Sequence, residues 1–300
     1  MENKTYQADV NEVQSFLLNI ISLQMKELAL LSFKQLLSEI STAETNTTFY
    51  IAYSTVWKYS GKEKLMLSEN DLKRADEIRK GWVIKDWTTD QACRALLLLS
   101  LSNHEKTTFV KTLNNLAGAA DVSELVALYL ALPLLPYPES LCDRAAEGVR
   151  NNMTVVYDAI ALNNPFPAAY LNENAWNQLV LKGIFNNRPL GQIVNLDQRA
   201  NEKLAGMISS FAHERWAAGR SVSAEAWRCV APFINENFLS DIEKVIEHSN
   251  PIEQKAAALA CATSSFPEAK KLLNQRADLK MLIEEKQLSW QILSEELSNF

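Results

Sequence analysis

The stretch VNEVQSFLLNIISLQMKELALLSFKQLLSEI, residues 10–40, decides the fold class. Val13, Phe16, Leu17, Ile20, Ile21, Leu23, Leu28, Leu31 and Leu36 recur at three- and four-residue steps. That spacing gathers side chains on one face of an α-helix. Nowhere does the chain alternate apolar and polar residues over six positions, so no sheet is expected. Eight Gly and nine Pro in 300 residues are few for a fold built on tight turns. The reading is all-α.

Outward from this stretch the helical pattern continues. Residues 47–59 give a short aromatic-rich helix, with Phe49, Tyr50, Tyr53, Val56 and Trp57. Ser68 and Asp71 have the spacing of a capping box and open a charged helix that ends before Gly81. A joint at 82–87 leads to a strongly apolar helix over 89–101, where Asp90 and Arg94 stand four apart as a pair on one helix face. Beyond 105, short helices alternate with joints at Gly118, 133–138, Asn151/Asn152, 163–167, 186–191, Gly219, Asn235, Asn250/Pro251 and Phe266/Pro267. Antiparallel helix pairs at this spacing resemble a HEAT-like α-solenoid. Residues 252–298 read as three terminal helices, the last carrying Leu288, Trp290, Ile292 and Leu293. The expected organisation is an N-terminal helical region over 1–104 and a helical-repeat core over 105–300, forming one continuous domain.

The net charge is −6, which argues against broad nucleic-acid binding, since phosphate contacts need a basic face. The cations are unevenly distributed. Residues 144–228 hold seven Arg and two Lys; the other 215 residues hold four Arg and seventeen Lys. Arg suits fixed, bidentate recognition of carboxylate or phosphate, whereas Lys is the ordinary solubilising cation. The same segment holds seven acidic residues, so it is locally +2 and suits a small anion. Cys93, Cys142, Cys229 and Cys261 lie far apart with no CxxC, and read as reduced, packed thiols. Residues 1–9 are polar and lack a secretory signal. The longest apolar run, 125–135, is too short to span a bilayer and contains Pro133. A soluble, cytoplasmic protein is expected.

Motifs for common chemistry are missing. The sequence has no G-x-G pair, no GK[ST] and no G-x-S-x-G. His213-Glu214 opens like a zinc HExxH, but residue 217 is Ala. Neither a metal nor another cofactor is implied. The polar interest lies in NNPFPAAYLNENAWNQLVLKGIF (163–185) and NLDQRANEKLAGMISSFAHERWAAGRSVSAEAWRCVAPF (195–233). Asp197 sits in the first turn of a helix ending near Gly219, and Ala200, Leu204, Ile208, Phe211 and Arg215 share a stripe. Arg215 thus interrupts an apolar face and needs a partner, either the carbonyls and acids of a joint or a ligand anion. Trp216 and Trp227 flank Arg220, as core anchors or as surfaces that stack on it or on a ligand. Asn177, beside Trp176 in mid-helix, is poor helix material and is a candidate for an inter-helix or ligand hydrogen bond. Asn164 can be a turn former before Pro165. The full candidate set for binding a ligand or partner is Arg144, Asp158, Asn164, Trp176, Asn177, Lys182, Arg199, Asn201, His213, Glu214, Arg215, Trp216, Arg220 and Trp227.

Three segments, NPFPAAYLNENAWNQLVLKGIF, NLDQRANEKLAGMISSFAHERWAAGR and EAWRCVAPF, resemble the EboA-domain family in order. Weaker echoes are WVIKDWTTDQACRALLLL and PIEQKAAALACA, and the dense similarity covers about 142–262. The resemblance implies a bacterial protein from an Ebo gene neighbourhood. Such loci encode a UbiA-like prenyltransferase, a TatD-like metal hydrolase and other enzymes, and are associated with making or moving a secondary metabolite. It carries over no catalytic residues. The expected function is a non-enzymatic helical scaffold or carrier. Its partners would be other Ebo-cluster proteins, prenyltransferase-like or hydrolase-like, or a small anionic metabolite. The alternative is an enzyme with Glu214 or Asp158 as base, Arg215 and Arg199 as anion holders and His213 as acid.

Overall fold

The run TDQACRALLLL forms a helix, Thr89–Leu99, with every residue buried except Gln91. A helix apolar on nearly all sides belongs at the centre of a core. The computed structural model of the chain describes residues 8–298. Among the described residues there are nineteen α-helices and no strand, apart from an isolated bridge between Lys64 and Thr88. The fold is all-α, as the periodicity requires. None of the helices is long and apolar enough to cross a membrane. Of the polar N-terminal stretch, residues 1–7 lie outside the described residues, and Asp9 caps the first helix.

The chain divides into two compact units, Met1–Asn172 and Glu173–Phe300. The first runs through α1 (Val10–Ser22), α2 (Glu27–Thr42), α3 (Thr47–Thr55), α4 (Trp57–Ser60), α5 (Glu69–Ile78), α6 (Thr89–Leu99), α7 (Lys106–Ala119), α8 (Val122–Ala131), α9 (Cys142–Arg150), α10 (Thr154–Ala161) and α11 (Phe166–Tyr170). Helix α6 packs against α1, α2, α3, α4 and α8. Helices α6 and α8, on either side of residues 104 and 105, pack together within this unit.

Capping boxes start α5 at Ser68 with Asp71, α6 at Thr88 with Gln91, and α8 at Asp121 with Glu124. The decisive stretch 10–40 is two helices rather than one face. A turn at 23–26 resets the register, so Val13, Leu17, Ile20 and Ile21 are buried on α1 and Phe33, Leu37 and Ile40 on α2. Leu23, Leu28 and Leu31, counted on the apolar face, are instead exposed at 69 %, 80 % and 57 %.

The second unit runs through α12 (Glu173–Phe185), α13 (Glu202–Ala217), α14 (Trp227–Val230), α15 (Glu236–Ile246), α16 (Pro251–Thr263), α17 (Pro267–Asn274), α18 (Ala277–Glu284) and α19 (Trp290–Ser298). Its central helix is α16, which packs against α14, α15, α17, α18 and α19. The small side chains Ala256, Ala257, Ala258 and Ala260, all buried, let its neighbours come close. From residue 251 onward there are four helices, not three; a turn through Lys286, at φ 59°, separates the last two. Helix α13 begins at Glu202 rather than near Asp197. Asp197 lies in the preceding turn and forms a bidentate ion pair with Arg228 of α14.

Candidate functional site

Helix α13 has two ends of different character. At its start Asn201 is the cap, its Oδ1 accepting from the Leu204 amide at 2.9 Å. Asn201 and the buried Asn177 of α12 exchange amide hydrogen bonds of 2.9 and 3.2 Å. This reciprocal pair is the partner that an Asn in mid-helix requires. The Arg199 guanidinium lies over the ring of the fully buried Trp176, 4.6 Å from its centroid, and burial lowers its pKa below the ordinary arginine value. Burial also lowers the pKa of Lys182, in the last turn of α12. At the start of α13 the two Asn amides close on each other, while the buried indole N–H of Trp176 has no hydrogen-bond partner among the described residues.

Toward the other end, Asp241 is buried on α15 and accepts from Ser209 Oγ at 2.6 Å while meeting His213 Nε2 at 2.6 Å. The His213 ring lies 5.7 Å from Trp216. Trp216 stacks on the buried Trp227, centroids 5.8 Å apart and planes within 16°. Lys244 of α15 places its Nζ 4.3 Å from the Trp216 centroid.

The helix then stops in a tight reversal. Gly219 has φ 68°, its amide bonds the Trp216 carbonyl, and the Arg220 amide returns to the Arg215 carbonyl, both at 2.9 Å. That left-handed step is natural for glycine and ends the helix. Arg215 Nε donates to the Ser221 carbonyl at 3.0 Å, bracing the reversal, while its guanidinium lies 6.0 Å from the Phe211 ring.

Beyond the turn lies a pocket of about 420 Å3 lined by Trp216, Gly219, Arg220, Ser221, Lys244, Val245, His248 and Glu253. Its far wall is the α15–α16 joint, which is well fastened. His248 Nδ1 accepts from the Asn250 amide at 3.1 Å, Gln254 Nε2 donates to the His248 carbonyl at 2.6 Å, and Asn250 caps α16. Glu253, in the first turn of α16, is 8 % exposed. Burial pushes its carboxyl up to about 7. Among the described residues no hydrogen bond or ion pair reaches its carboxylate.

The structure therefore brings Trp216 and Arg220 into the pocket, with His213, Arg215 and Trp227 beside it. Trp176, Asn177, Arg199 and Asn201 gather at the opposite end of α13, Lys182 stands apart in the last turn of α12, and Glu214 is exposed. The remaining candidates belong to the first unit. Asn164 is a joint clamp: its amide donates to the Tyr129 and Ala159 carbonyls at 3.0 and 2.9 Å, and its oxygen accepts from the Phe166 amide. Arg144 holds Asn114 Oδ1 through Nε and Nη2 and pairs with Glu147 at 2.6 Å. Asp158 is half-buried on α10.

Residues 13–231 match the EboA family, described as metabolite traffic protein EboA. The chain belongs to the EboA family. No curated protein and no solved structure matches it. The EboA match takes in Trp216 and Arg220 but ends before α15 and α16, so Lys244, His248 and Glu253 stand outside it. Sequence reading missed these three and Asp241. Lys244 and Glu253 look like ordinary surface and first-turn residues of their helices, and only packing places them opposite Arg220.

Proposed function

We propose that this EboA-family chain is a non-enzymatic carrier in a metabolite-traffic pathway, holding a small anionic molecule in the pocket between α13, α15 and α16. The observation that carries this reading is the pairing of Arg220 and Lys244 in one pocket, the lysine seated on the Trp216 ring. A cation resting on an indole face is partly pre-positioned, so less side-chain freedom is lost when an anion arrives. A pocket of this volume falls in the ordinary range for small molecules, roughly 300–1,000 Å3. The family description, metabolite traffic, agrees with holding rather than transforming.

In an Ebo-type secondary-metabolite pathway, the cytoplasmic chain would receive its cargo from, or pass it to, the prenyltransferase-like or hydrolase-like products of the same cluster. The exposed His213, against the pocket's Trp216, and the exposed Glu214 next to it in the chain are available to such a partner. The placement of the two anion holders of the enzyme reading supports the carrier instead: Arg199 lies over Trp176 before the start of α13, and Arg215 braces the reversal at its end.

Native mass spectrometry of the chain purified gently from its own host tests the proposal. Expected is a retained small acid that is lost in the Arg220→Ala/Lys244→Ala variant. A retained protein with no small molecule would make it an adaptor, and retention unaffected by the double variant would move the site elsewhere.

A further inference from the structure

Five carboxylates are buried among the described residues: Asp90, Glu124, Glu225, Asp241 and Glu253. Four have partners. Asp90 pairs with Arg94 and accepts from Thr88 Oγ1. Glu124 accepts from the Asp121 amide at 3.0 Å. Glu225 accepts from the Leu190 and Gly191 amides at 2.8 and 2.9 Å and from Ser294. Asp241 holds Ser209 and His213. Glu253 alone has none, and it alone lines the pocket that Arg220 and Lys244 share. Its oxygens are not among the fully buried, unpartnered side-chain atoms of the described residues, so they open into the pocket and are free to accept from what enters it.

We propose that the molecule held in this pocket carries an amine or hydroxyl beside its acidic group, the donor bonding to the Glu253 carboxylate while Arg220 and Lys244 hold the acid. The ligand class is thus the small amino acids and hydroxy acids, not simple carboxylates. The proposal rests on the carrier reading above and adds a selectivity that reading does not require. The direction of the Glu253 shift agrees with it, since burial is its cause and no partner offsets it. Trp216 and Val245 supply an apolar wall for the rest of the molecule.

The test uses four compounds on one skeleton: 3-phenylpropanoate, 3-phenyllactate, phenylalanine and phenethylamine. Binding to the full chain is measured by titration calorimetry at pH 8, for the native sequence, Glu253→Gln and Arg220→Ala/Lys244→Ala, each checked by circular dichroism for an unchanged fold. Expected in the native sequence is a preference of about tenfold or more for phenyllactate or phenylalanine over phenylpropanoate. That preference should shrink below about threefold in Glu253→Gln, while the double variant weakens all three acids. If phenylpropanoate binds the native sequence as tightly as the other acids and loses affinity in the double variant, the carrier reading stands and the donor inference falls. If the preference survives in Glu253→Gln, the donor is read elsewhere and the inference also falls. If none of the four binds the native sequence, the pocket reading fails and takes the inference with it.

Discussion

Helices α6 and α16 hold the same place in their units, each packed on five other helices, and each carries a buried carboxylate in its first turn. Their treatment of it differs. Asp90 of α6 has Arg94 four residues later, one turn along the same face, and Arg94 Nε continues to the Tyr53 carbonyl at 3.0 Å. Tyr53 in turn donates to the Glu124 carbonyl at 2.9 Å, and burial raises its pKa well above the phenol value. Glu253 of α16 has Ala257 at the corresponding position, and among the described residues no hydrogen bond or ion pair reaches its carboxylate. One acid is locked into the architecture; the other faces a pocket.

The largest effect should come from unlocking α6. Arg94→Ala strands Asp90 in the core and should cost about 3–5 kcal/mol. That should appear as a fall in Tm of about 10 °C. Replacing both partners, Asp90→Leu with Arg94→Met, should recover most of the loss, because the penalty belongs to the unpaired charge. A double variant as unstable as Arg94→Ala would mean that shape, not charge, is what the pair supplies.

The open side of the comparison makes the opposite kind of prediction, in pH. Glu253 sits near 7 in the folded chain against its ordinary 4.5. An acid whose folded pKa is raised binds its proton more tightly when folded. Its contribution to stability is therefore complete below about 4.5 and is lost as pH climbs through about 7. Relative to Glu253→Gln, the native sequence should lose on the order of 2–3 kcal/mol between pH 4.5 and 8, measured by urea unfolding. Parallel pH profiles for the two proteins would show that the carboxylate is already partnered, and the contrast with Asp90 would dissolve.

A milder version of the closed case lies at the start of α13. Asn177→Ala removes one half of the reciprocal amide pair and leaves Asn201 short of a partner, which should cost about 1–3 kcal/mol. Adding Asn201→Ala should cost less than the separate losses summed, since both report one interaction. Full additivity would mean that the cap to Leu204, rather than the pair, is what Asn201 contributes.

How much of this was legible beforehand follows from how local each feature is. The all-α class, the capping box at Ser68 and the joint at Phe266/Pro267 depend on residues a few positions apart, and a linear reading finds them. The family was legible from long motifs in order. The exposure of Leu23, Leu28 and Leu31 was not, because a four-residue turn changes which face points inward without changing the spacing of leucines. For the pocket, Trp216 and Arg220 were visible as an aromatic and a cation around the end of a helix. Glu253 was not, because an acid in a first turn is the commonest way to begin a helix. Its oddity exists only once α13 and α15 are packed beside it.

The smallest effect on stability separates holding a fold from holding a ligand. Arg220 is exposed and follows the reversal at Gly219, whose own hydrogen bonds are between backbone groups. Arg220→Ala should therefore change unfolding free energy by less than about 0.5 kcal/mol. Lys244→Ala should cost slightly more, about 0.5–1 kcal/mol, because it gives up the contact with Trp216. Set against Arg94→Ala, the same residue type would then range from nearly silent to strongly destabilising according to whether its partner is in the chain. Thermal unfolding of Arg220→Ala without ligand decides this. A fall of several degrees would make Arg220 a structural residue like Arg94, and the pocket would lose the cation on which its anion-holding role depends.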